Sequence, residues 1–404
     1  MAIVGAGLGG LCLAQGLRRS GVDAVVYERD PRLAGRRQGY RIHLDARGAL
    51  ALRECLPAGL FELFLATCGR PGTQVTVLSS RLRVLREIAG GPGGDPDDPA
   101  TLSTSVNRLT LREVLWSGLG DRVRFGHELS RYTDDGTGIT LHFADGTTAV
   151  ADVLVGADGV NSAVRRQLLP DAEVRDTGGR CVYGRTPLDE ATLALVPAAL
   201  HRGFTAIVGG HLGMATGLVQ LRNRPDEASA HLSPAGDYLM WALSGQHDRF
   251  PVSDARLSAL DPAGLHGVAR DAVRSWHPDL RALIDLADVD ETFLVRVRTS
   301  VPVPAWTPGA VTVLGDAIHA MSPAGGSGAN TALRDAALLS GQLTGVLATD
   351  RSAFVPAIGG YEAEMRTYGY AAVLESQNAE RRNTSTGLGR TVLRLADRLR
   401  ARNG

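Results

Sequence analysis

A glycine-rich turn near the start of the chain restricts its first elements to one kind of fold. Residues 5–10 read GAGLGG and lie between a short apolar strand, Ala2–Val4, and a helical run that ends near Gly21. Such a turn lets the backbone approach a pyrophosphate, which then lies at the N-terminus of the helix. Glu28 closes the next strand about 20 residues later, where a carboxylate binds a ribose hydroxyl and repels a 2′-phosphate. The sequence therefore predicts a dinucleotide site for FAD or NAD rather than NADP.

Two further motifs each place an aspartate directly after a short apolar segment. Asp158 lies in GADG at residues 156–159, and Asp316 lies in GDAIH at residues 315–319, followed by a proline- and glycine-rich loop and a long helix. A carboxylate in that position can accept hydrogen bonds from ribityl or ribose hydroxyls. The helix N-terminus places amide donors where negative charge accumulates on a reduced isoalloxazine ring. These motifs favour FAD as the bound dinucleotide.

With these three motifs in this order, the sequence resembles the FAD-dependent aromatic hydroxylases, the p-hydroxybenzoate hydroxylase-like group A flavoprotein monooxygenases, over about the first 380 residues. The resemblance implies an α/β fold, with a Rossmann-like FAD-binding domain, an inserted antiparallel β-sheet substrate domain and a helical C-terminus. We expect the FAD-binding domain at residues 1–174 and 304–348, with a hairpin at 73–100 that joins the substrate sheet. The substrate domain is expected at 175–303 and the C-terminal helices at 349–404.

The local patterns predict individual elements within this outline. Leucines spaced four apart predict a helix over 109–119, and one helix, 265–276, is expected among the strands of the inserted sheet. Residues 89–99 carry glycine, proline and aspartate and are expected to form an exposed, mobile loop. Three C-terminal helices are expected, over 329–347, over 361–380 and, as a basic amphipathic segment, over 388–400.

The motifs and the resemblance together assign a set of candidate FAD-binding residues. They are Gly5, Gly7, Leu8, Gly9, Gly10, Glu28, Arg29, Arg41, Arg108, Asp158, Asp316, Pro323, Gly326, Gly328, Ala329 and Asn330. The resemblance implies that Asp316 binds the ribityl side of FAD and that the loop over residues 323–328 faces the reactive edge of the flavin. The backbone of the two residues that open the following helix would meet the flavin pyrimidine.

Three further contacts follow from the same resemblance. Asp158 would help to hold the pyrophosphate end of FAD and is associated in that family with the nicotinamide cofactor as well. Arg41 matches an arginine that reaches the FAD phosphates, and Arg108 matches another arginine that contacts FAD. For both arginines, a solvated or core-capping role stays open. His319 is expected to support the site through hydrogen bonds, and a role as general base is the alternative.

The activity that the resemblance implies is oxygenation of an aromatic ring. NAD(P)H would reduce FAD, O2 would add to give a flavin hydroperoxide, and an aromatic or polycyclic phenolic small molecule would be hydroxylated. Candidate substrate contacts, with roles that stay open, lie on the predicted strands of the inserted sheet: Tyr183, Arg185, Gln220 and Trp241. A natural-product intermediate, as in antibiotic biosynthesis, is favoured over an intermediate of aromatic catabolism.

Other functions of FAD-binding proteins require different features. A flavin-dependent halogenase requires a catalytic lysine and a Trp-x-Trp-x-Ile-Pro motif, and the sequence contains neither. Baeyer–Villiger oxidation or epoxidation by the same cofactor remains an alternative. A protein that binds FAD and a ligand without turnover is a further alternative, and it predicts NAD(P)H oxidation that no ligand stimulates.

Composition limits the partners and the location of the protein. The formal net charge is zero, which gives no reason to expect a nucleic acid partner. All four cysteines lie far apart without a metal-binding spacing, so we expect reduced thiols and no metal. No apolar run has the length of a membrane span, and the chain begins on a strand without a signal peptide. We therefore expect a cytoplasmic protein; its oligomeric state stays open.

Overall fold

The computed structural model describes residues 1–33, 40–89, 95, 97–344, 346 and 353–384, without the side chains of 88, 89 and 382–384. Its strands are β1 (Ala2–Val4), β2 (Val25–Glu28), β3 (Arg41–Leu44), β4 (Gln74–Ser79), β5 (Val84–Ala89), β6 (Thr104–Asn107), β7 (Val123–Phe125), β8 (Leu129–Asp134), β9 (Ile139–Phe143), β10 (Thr148–Ala151), β11 (Leu154–Gly156), β12 (Val174–Pro187), β13 (Gly203–Gly209), β14 (Leu212–Val219), β15 (Tyr238–Gln246), β16 (Phe293–Ser300) and β17 (Val311–Val313). Its helices are α1 (Leu8–Arg19), α2 (Ala46–Cys55), α3 (Ala58–Thr67), α4 (Arg108–Trp116), α5 (Ala163–Leu168), α6 (Glu190–Leu195), α7 (Pro225–Ala228), α8 (Asp254–Ala259), α9 (Pro262–Ala272), α10 (Pro278–Asp285), α11 (Asp316–His319), α12 (Gly328–Leu343) and α13 (Phe354–Thr384).

A parallel five-stranded sheet carries the three sequence motifs. Its strand order is β17-β11-β1-β2-β7, and α1 packs against α2 and α12 beside it. Strands β1, β11 and β17 are completely buried, as expected for short apolar strands in a parallel sheet. The glycine-rich turn follows β1, Asp158 follows β11 and Asp316 follows β17. Because the carboxyl ends of parallel strands meet at one sheet edge, the topology brings all three motifs together.

A second, seven-stranded sheet has the order β16-β12-β15-β14-β13-β4-β5. The predicted hairpin forms its edge, with β4 and β5 antiparallel to each other. The expectation of a purely antiparallel sheet is wrong in one place, because β4 pairs with β13 in parallel. These two strands are far apart in sequence, so no turn signal could reveal the direction of their pairing. The division into domains by residue number stays a prediction.

Both faces of the seven-stranded sheet are covered by other parts of the molecule. On one face Trp241, Leu243 and Val182 pack against the apolar sides of α8, α9 and α10. On the opposite face Cys181, Met240 and Ala242 form a smaller apolar cluster that includes Tyr40 and Tyr238. Since side chains alternate along each strand, neighbouring residues in β15 belong to different faces.

The expectation of one helix among the inserted strands is wrong. The inserted segment contains α6, α7, α8, α9 and α10, and the predicted helix at 265–276 is α9, which ends at Ala272. Four of these helices have six to eleven residues and side-chain caps, such as Asp189 on α6 and Ser253 on α8. An apolar periodicity needs more turns than most of them have, which is why the pattern missed them.

At the C-terminal end, the two described helices agree with the sequence only in part. The helix expected over 329–347 is α12, which ends at Leu343, and the helix expected over 361–380 is the longer α13. The basic segment at 388–400 and most of the loop at 89–99 lie outside the described residues. Within the described ranges, no helix combines the length and apolarity needed to cross a membrane. The four cysteines are buried and free.

Glu362 in α13 gives the fold a pH dependence. Its side chain is completely buried and accepts a 2.8 Å hydrogen bond from the Thr312 hydroxyl of β17. Burial raises the pKa of Glu362 from 4.5 to about 7. The folded state therefore keeps a proton that the unfolded state releases, so the free energy of unfolding falls as pH rises from about 4.5 to about 7, by up to about 3 kcal/mol.

Glu362→Gln is expected to remove this dependence, because the amide carries no charge. Urea unfolding at a series of pH values checks the expectation, with Glu364→Gln as a control on an exposed carboxylate of the same helix. If Glu362→Gln and the unmodified protein lost stability equally between these pH values, the assigned role of Glu362 would be wrong.

Candidate FAD and substrate site

One cavity of about 2150 Å³ lies between the parallel sheet and the seven-stranded sheet. Its volume is larger than the 300–1,000 Å³ of an ordinary small-molecule pocket. The candidate FAD residues on its wall are Gly5, Gly7, Leu8, Gly9, Gly10, Glu28, Arg29, Arg41, Arg108, Asp158, Asp316, Pro323, Gly326, Gly328 and Ala329. Asn330 is completely buried behind this wall. The structure thus brings together nearly all of the candidate FAD residues.

Three of the four glycines in the first motif, Gly5, Gly7 and Gly10, have different surroundings. Gly5 has φ +108°, and a Cβ atom there would lie 2.4 Å from the Ala157 carbonyl oxygen. A Cβ atom on Gly10 would lie 2.0 Å from the Gly5 carbonyl oxygen, whereas one on Gly7 would meet nothing within 4 Å. Gly5 and Gly10 are therefore required by the packing of the turn, and Gly7 leaves open space at the N-terminus of α1.

Glu28 and Arg112 fix the turn from two sides. The carboxylate of Glu28 accepts hydrogen bonds from the Ala6 amide at 2.7 Å and from the Asp30 amide at 2.9 Å. The guanidinium of Arg112 donates to the Ala6 carbonyl oxygen and to the Leu33 carbonyl oxygen. Sequence reasoning missed Arg112, because it lies in α4 beside the leucine stripe without a motif of its own. A charged residue in the middle of an apolar helix stripe is the signal that could have found it.

The two carboxylate oxygens of Asp158 differ in their hydrogen bonding. Its Oδ2 atom accepts a 2.7 Å hydrogen bond from the Ala163 amide at the start of α5, and the Ser162 hydroxyl caps the same helix. Its Oδ1 atom is buried and has no hydrogen-bond partner among the described residues. Burial raises the pKa of Asp158. A buried acceptor on a cavity wall fits a ligand hydroxyl at this position.

Asp316 lies on the cavity wall. Its side chain is exposed to the cavity, although protein atoms surround the residue on its other sides. Burial raises the pKa of Asp316, while the positive charges of His319 and Arg108 oppose that rise. Gly315 precedes it with φ +62°, a conformation that favours glycine. The N-terminus of α12 lies close by, since a Cβ atom on Gly328 would be 4.0 Å from Oδ1 of Asp316. A carboxylate and open helix amides thus face the same space.

A buried hydrogen-bond network supports this corner from behind. Both carboxylate oxygens of Asp335 are used, because Oδ2 accepts from the Gly315 amide at 2.7 Å and from His319 Nε2 at 2.6 Å, and Oδ1 accepts from the Tyr368 hydroxyl at 2.6 Å. Burial lowers the pKa of His319, but Asp335 outweighs that effect and raises it overall. His319 is absent from the cavity wall, which agrees with its expected supporting role. Sequence reasoning missed Asp335, which no motif marks.

Asn330 joins α12 to β3. Its amide donates to the His43 carbonyl oxygen at 3.0 Å, and its Oδ1 atom accepts from the Asp45 amide at 3.0 Å. With its side chain used in this way, Asn330 could meet a flavin only through its backbone, as predicted. Among the described residues, no group of three or more His, Cys, Asp or Glu side chains is placed to hold a metal ion.

The four candidate substrate contacts separate into one that faces the cavity and three that do not. Tyr183 lies on the cavity wall and stacks on Phe293, with ring centroids 5.3 Å apart. Trp241 is 1% exposed in the core on the other face of the sheet, because it alternates with the cavity-facing residues of β15. Gln220 lies beyond the end of β14 and away from the wall.

Arg185 is also corrected. It shares a face of β12 with Tyr183, but its guanidinium lies over the Tyr40 ring and 3.4 Å from Asp288. Arg185 is therefore not part of the cavity wall. Sequence reasoning missed the apolar side chains that do line the cavity from the seven-stranded sheet: Phe204, Met240, Ala242, Phe293 and Val295.

Comparison with known proteins identifies the family. Residues 3–53 match an NAD(P)-binding Rossmann-like domain, and residues 269–375 match an FAD binding domain. The chain is 33% identical to a protein from Photorhabdus luminescens described as an FAD-containing monooxygenase, over 94% of this chain and 97% of that one, and the two structures have a TM-score of 0.80.

Two curated relatives are similar to the chain as well. A dual O-methyltransferase/FAD-dependent monooxygenase from Phaeosphaeria nodorum is 34% identical over 93% of this chain but only 45% of its own length. The chain therefore spans about half the length of this relative. A 6-hydroxynicotinate 3-monooxygenase from Pseudomonas fluorescens is 29% identical over 84% of this chain and 81% of its own. The chain belongs to the FAD-dependent aromatic monooxygenase family, with FAD as its cofactor.

Proposed function

We propose that the chain is an NAD(P)H-consuming monooxygenase that hydroxylates an aromatic or polycyclic phenolic molecule in the cavity between its two sheets. The observation that carries the proposal is that one cavity joins the three dinucleotide motifs to the aromatic face of the seven-stranded sheet. FAD, when bound, supplies the hydride acceptor and the O2 chemistry. The four buried, free thiols support the expected cytoplasmic location.

The protein residues bind and orient FAD in this proposal. The open space at Gly7 and the amides at the N-terminus of α1 fit the pyrophosphate. The free Oδ1 atom of Asp158 and the cavity-facing carboxylate of Asp316 fit hydroxyl donors. The N-terminus of α12 offers amide donors to negative charge on the reduced ring system. Arg29, Arg108, Pro323 and Gly326 stay predicted FAD contacts.

The substrate is proposed to lie against Tyr183, Phe293 and Met240, which exclude water from the reacting ring. Two observations support a phenolic natural product. The cavity has room for a large ligand beside FAD, and the relative from Phaeosphaeria nodorum joins its monooxygenase to an O-methyltransferase. Hydroxylation of an aromatic ring creates the hydroxyl group that an O-methyltransferase consumes. An intermediate of a biosynthetic route, such as one to an antibiotic, fits this chemistry.

Oxidation of NAD(P)H by the FAD-loaded protein tests the proposal, with and without a panel of phenolic and polycyclic aromatics. Stimulation by a ligand, with a product that carries one new hydroxyl group, is the expected result. A ring-expanded lactone or an epoxide would instead favour the two alternative oxygenations. Oxidation that no member of the panel stimulates would favour a protein that binds FAD and ligand without turnover.

Replacing Asp316 by alanine is expected to weaken FAD binding about 10- to 100-fold, because a hydrogen-bonding carboxylate is lost from the cavity wall. Burial already raises the pKa of this carboxyl group, so its removal is expected to leave the FAD-free protein as stable as before. FAD retained after extensive dialysis is the measurement, and Asp171→Ala, at an exposed position, is the control. Full FAD occupancy in Asp316→Ala would show that Asp316 does not bind the cofactor.

A further inference from the structure

Arg41 crosses from the parallel-sheet side of the cavity to the seven-stranded sheet. It begins β3, opposite Asn107 of β6, and its guanidinium lies over the Phe204 ring, with Cζ 5.9 Å from the ring centroid. The side chain also occupies the space above Gly217, where a Cβ atom would lie 2.7 Å from Nε of Arg41. A side chain at position 217 would therefore collide with Arg41, and glycine avoids this collision.

The position of Arg41 on that sheet is well defined. Phe204, Gly217 and Met240 are direct neighbours on β13, β14 and β15, so their side-chain positions point to the same face. Phe204 and Met240 both line the cavity. Arg41 thus lies at the centre of the cavity-facing surface of the inserted sheet, between an aromatic ring and a thioether.

Among the described residues, no anionic side chain forms an ion pair with this guanidinium. Nε of Arg41 is buried without a hydrogen-bond partner, and no ion pair to Arg41 forms within the described part of the chain. Two other buried arginines do have such partners, since Arg180 pairs with Asp176 and Asp254, and Arg112 donates to main-chain carbonyl oxygens. A buried charge without a partner is unfavourable, so a group that enters the cavity is the natural partner.

The surroundings of Arg41 define the chemistry of that partner. Tyr40 and Tyr238 belong to the apolar cluster on this face, and Tyr40 contacts Phe293, which stacks on Tyr183. An aromatic surface beside an unpaired guanidinium fits an aromatic ring that carries a negative oxygen. We propose that Arg41 binds the anionic oxygen, a carboxylate or a phenolate, of the aromatic substrate. This inference rests on the proposed function and names the substrate class of the same cavity.

The resemblance assigns Arg41 to the FAD phosphates, whereas its contacts in the structure are with Phe204 and the space above Gly217 on the seven-stranded sheet. The substrate role and the phosphate role predict different defects. Loss of the guanidinium should weaken binding of anionic aromatics in the first case and binding of FAD in the second.

Ligand binding to the FAD-loaded protein, followed by equilibrium dialysis and by the flavin absorption spectrum, tests the proposal. The probes are two matched pairs at pH 8: 2-naphthoate with its amide, and pentafluorophenol with pentafluoroanisole. The first pair tests a carboxylate and the second a phenolate. We expect the anionic member of at least one pair to bind about 10-fold or more tightly than its neutral partner.

Arg41→Gln is expected to remove this preference and to weaken binding of the anion about 10- to 100-fold, with FAD occupancy unchanged. Arg41→Lys keeps the charge and should retain part of the preference. Arg47→Gln, at an exposed arginine paired with Asp45, is the matched control and should bind both probes like the unmodified protein.

Four results would overturn the proposal: equal binding of the members of both pairs, no binding of either anion, an unchanged preference in Arg41→Gln, or loss of FAD from Arg41→Gln. The proposed function can hold even when the role proposed for Arg41 is wrong. A neutral aromatic that stimulates NAD(P)H oxidation and is hydroxylated would leave the monooxygenase activity intact while contradicting the role of Arg41.

Discussion

Gly10→Ala is expected to reduce the free energy of unfolding of the FAD-free protein by at least about 3 kcal/mol. The new methyl group would lie 2.0 Å from the Gly5 carbonyl oxygen and 3.2 Å from Cβ of Ala157. The nearest of these is a backbone atom of a turn that Gly5 already holds at positive φ, so relief requires α1 to move away from β1. The strand and the helix that define the dinucleotide site would then separate.

Gly7→Ala is the matched variant and should behave in the opposite way. Gly7 is extended, with φ −73° and ψ −177°, and a Cβ atom there meets nothing within 4 Å. The FAD-free protein should therefore keep its stability to within about 0.5 kcal/mol. Because Gly7 lines the cavity where the pyrophosphate is proposed to lie, the same methyl group should reduce FAD retention.

Urea unfolding of the FAD-free proteins, followed by circular dichroism, and FAD retention after dialysis separate the two effects. Gly10→Ala should reduce both the stability to urea and the retention of FAD. Gly7→Ala should reduce the retention of FAD alone. Equal stability of the two variants would contradict the packing role of Gly10. Normal FAD retention in Gly7→Ala would mean that the pyrophosphate does not approach this turn.

The sequence could predict those parts of the site that depend on local backbone chemistry. Gly5 and Gly10 are required by φ or by close approach of atoms, and Asp158 and Asp316 follow buried strands that short apolar runs identify. Because each motif follows a strand of the same parallel sheet, the three motifs meet at one edge of that sheet. For this reason nearly all of the candidate FAD residues lie on one cavity wall.

The substrate face could not be predicted in the same way, because both faces of the seven-stranded sheet are apolar. Trp241 and Met240 are neighbours in β15 and are both buried, yet Trp241 packs against helices and Met240 lines the cavity. A strand with one polar face shows its orientation in its sequence, whereas this strand does not. The choice among Tyr183, Trp241 and their neighbours needed the register of the sheet.

Charged residues that act inside the protein were missed for a related reason. Arg112 and Asp335 lie in helices whose sequences show no motif around them, and their partners are main-chain atoms or side chains far along the chain. The sequence identified Arg41 as a candidate site residue. It could not show that the side chain lies above Gly217, because that space is formed by a strand far away in sequence. Contacts of this kind are properties of the tertiary fold.

Asp335→Asn is expected to destabilise the protein by about 2–4 kcal/mol at neutral pH, because it removes the charge from a completely buried carboxylate that accepts three hydrogen bonds. The amide side chain would keep one acceptor oxygen. Its NH2 group would face groups that donate hydrogen bonds to Asp335. Asp285→Asn is the matched control, because Asp285 makes an exposed ion pair with Arg270 and such pairs contribute at most about 1 kcal/mol.

The effect of Asp335→Asn should depend on pH through His319. Since the pKa of His319 in the folded protein is raised above its ordinary 6.5, the imidazolium–carboxylate pair contributes fully below pH 6.5 and is lost as pH rises through the folded pKa. Urea unfolding of both proteins should therefore show a larger difference at pH 6 than in alkaline solution. A difference that is constant over that range would mean that His319 is neutral in the folded protein.

The same variant should also weaken FAD binding, although Asp335 does not line the cavity. Its Oδ2 atom holds the Gly315 amide, and Gly315 directs the neighbouring Asp316 carboxylate into the cavity. The proposed ribityl contact thus depends on a buried network that joins α12, α13 and the end of β17. If Asp335→Asn lost stability but retained FAD as well as Asp285→Asn does, the network would stabilise the fold without positioning Asp316.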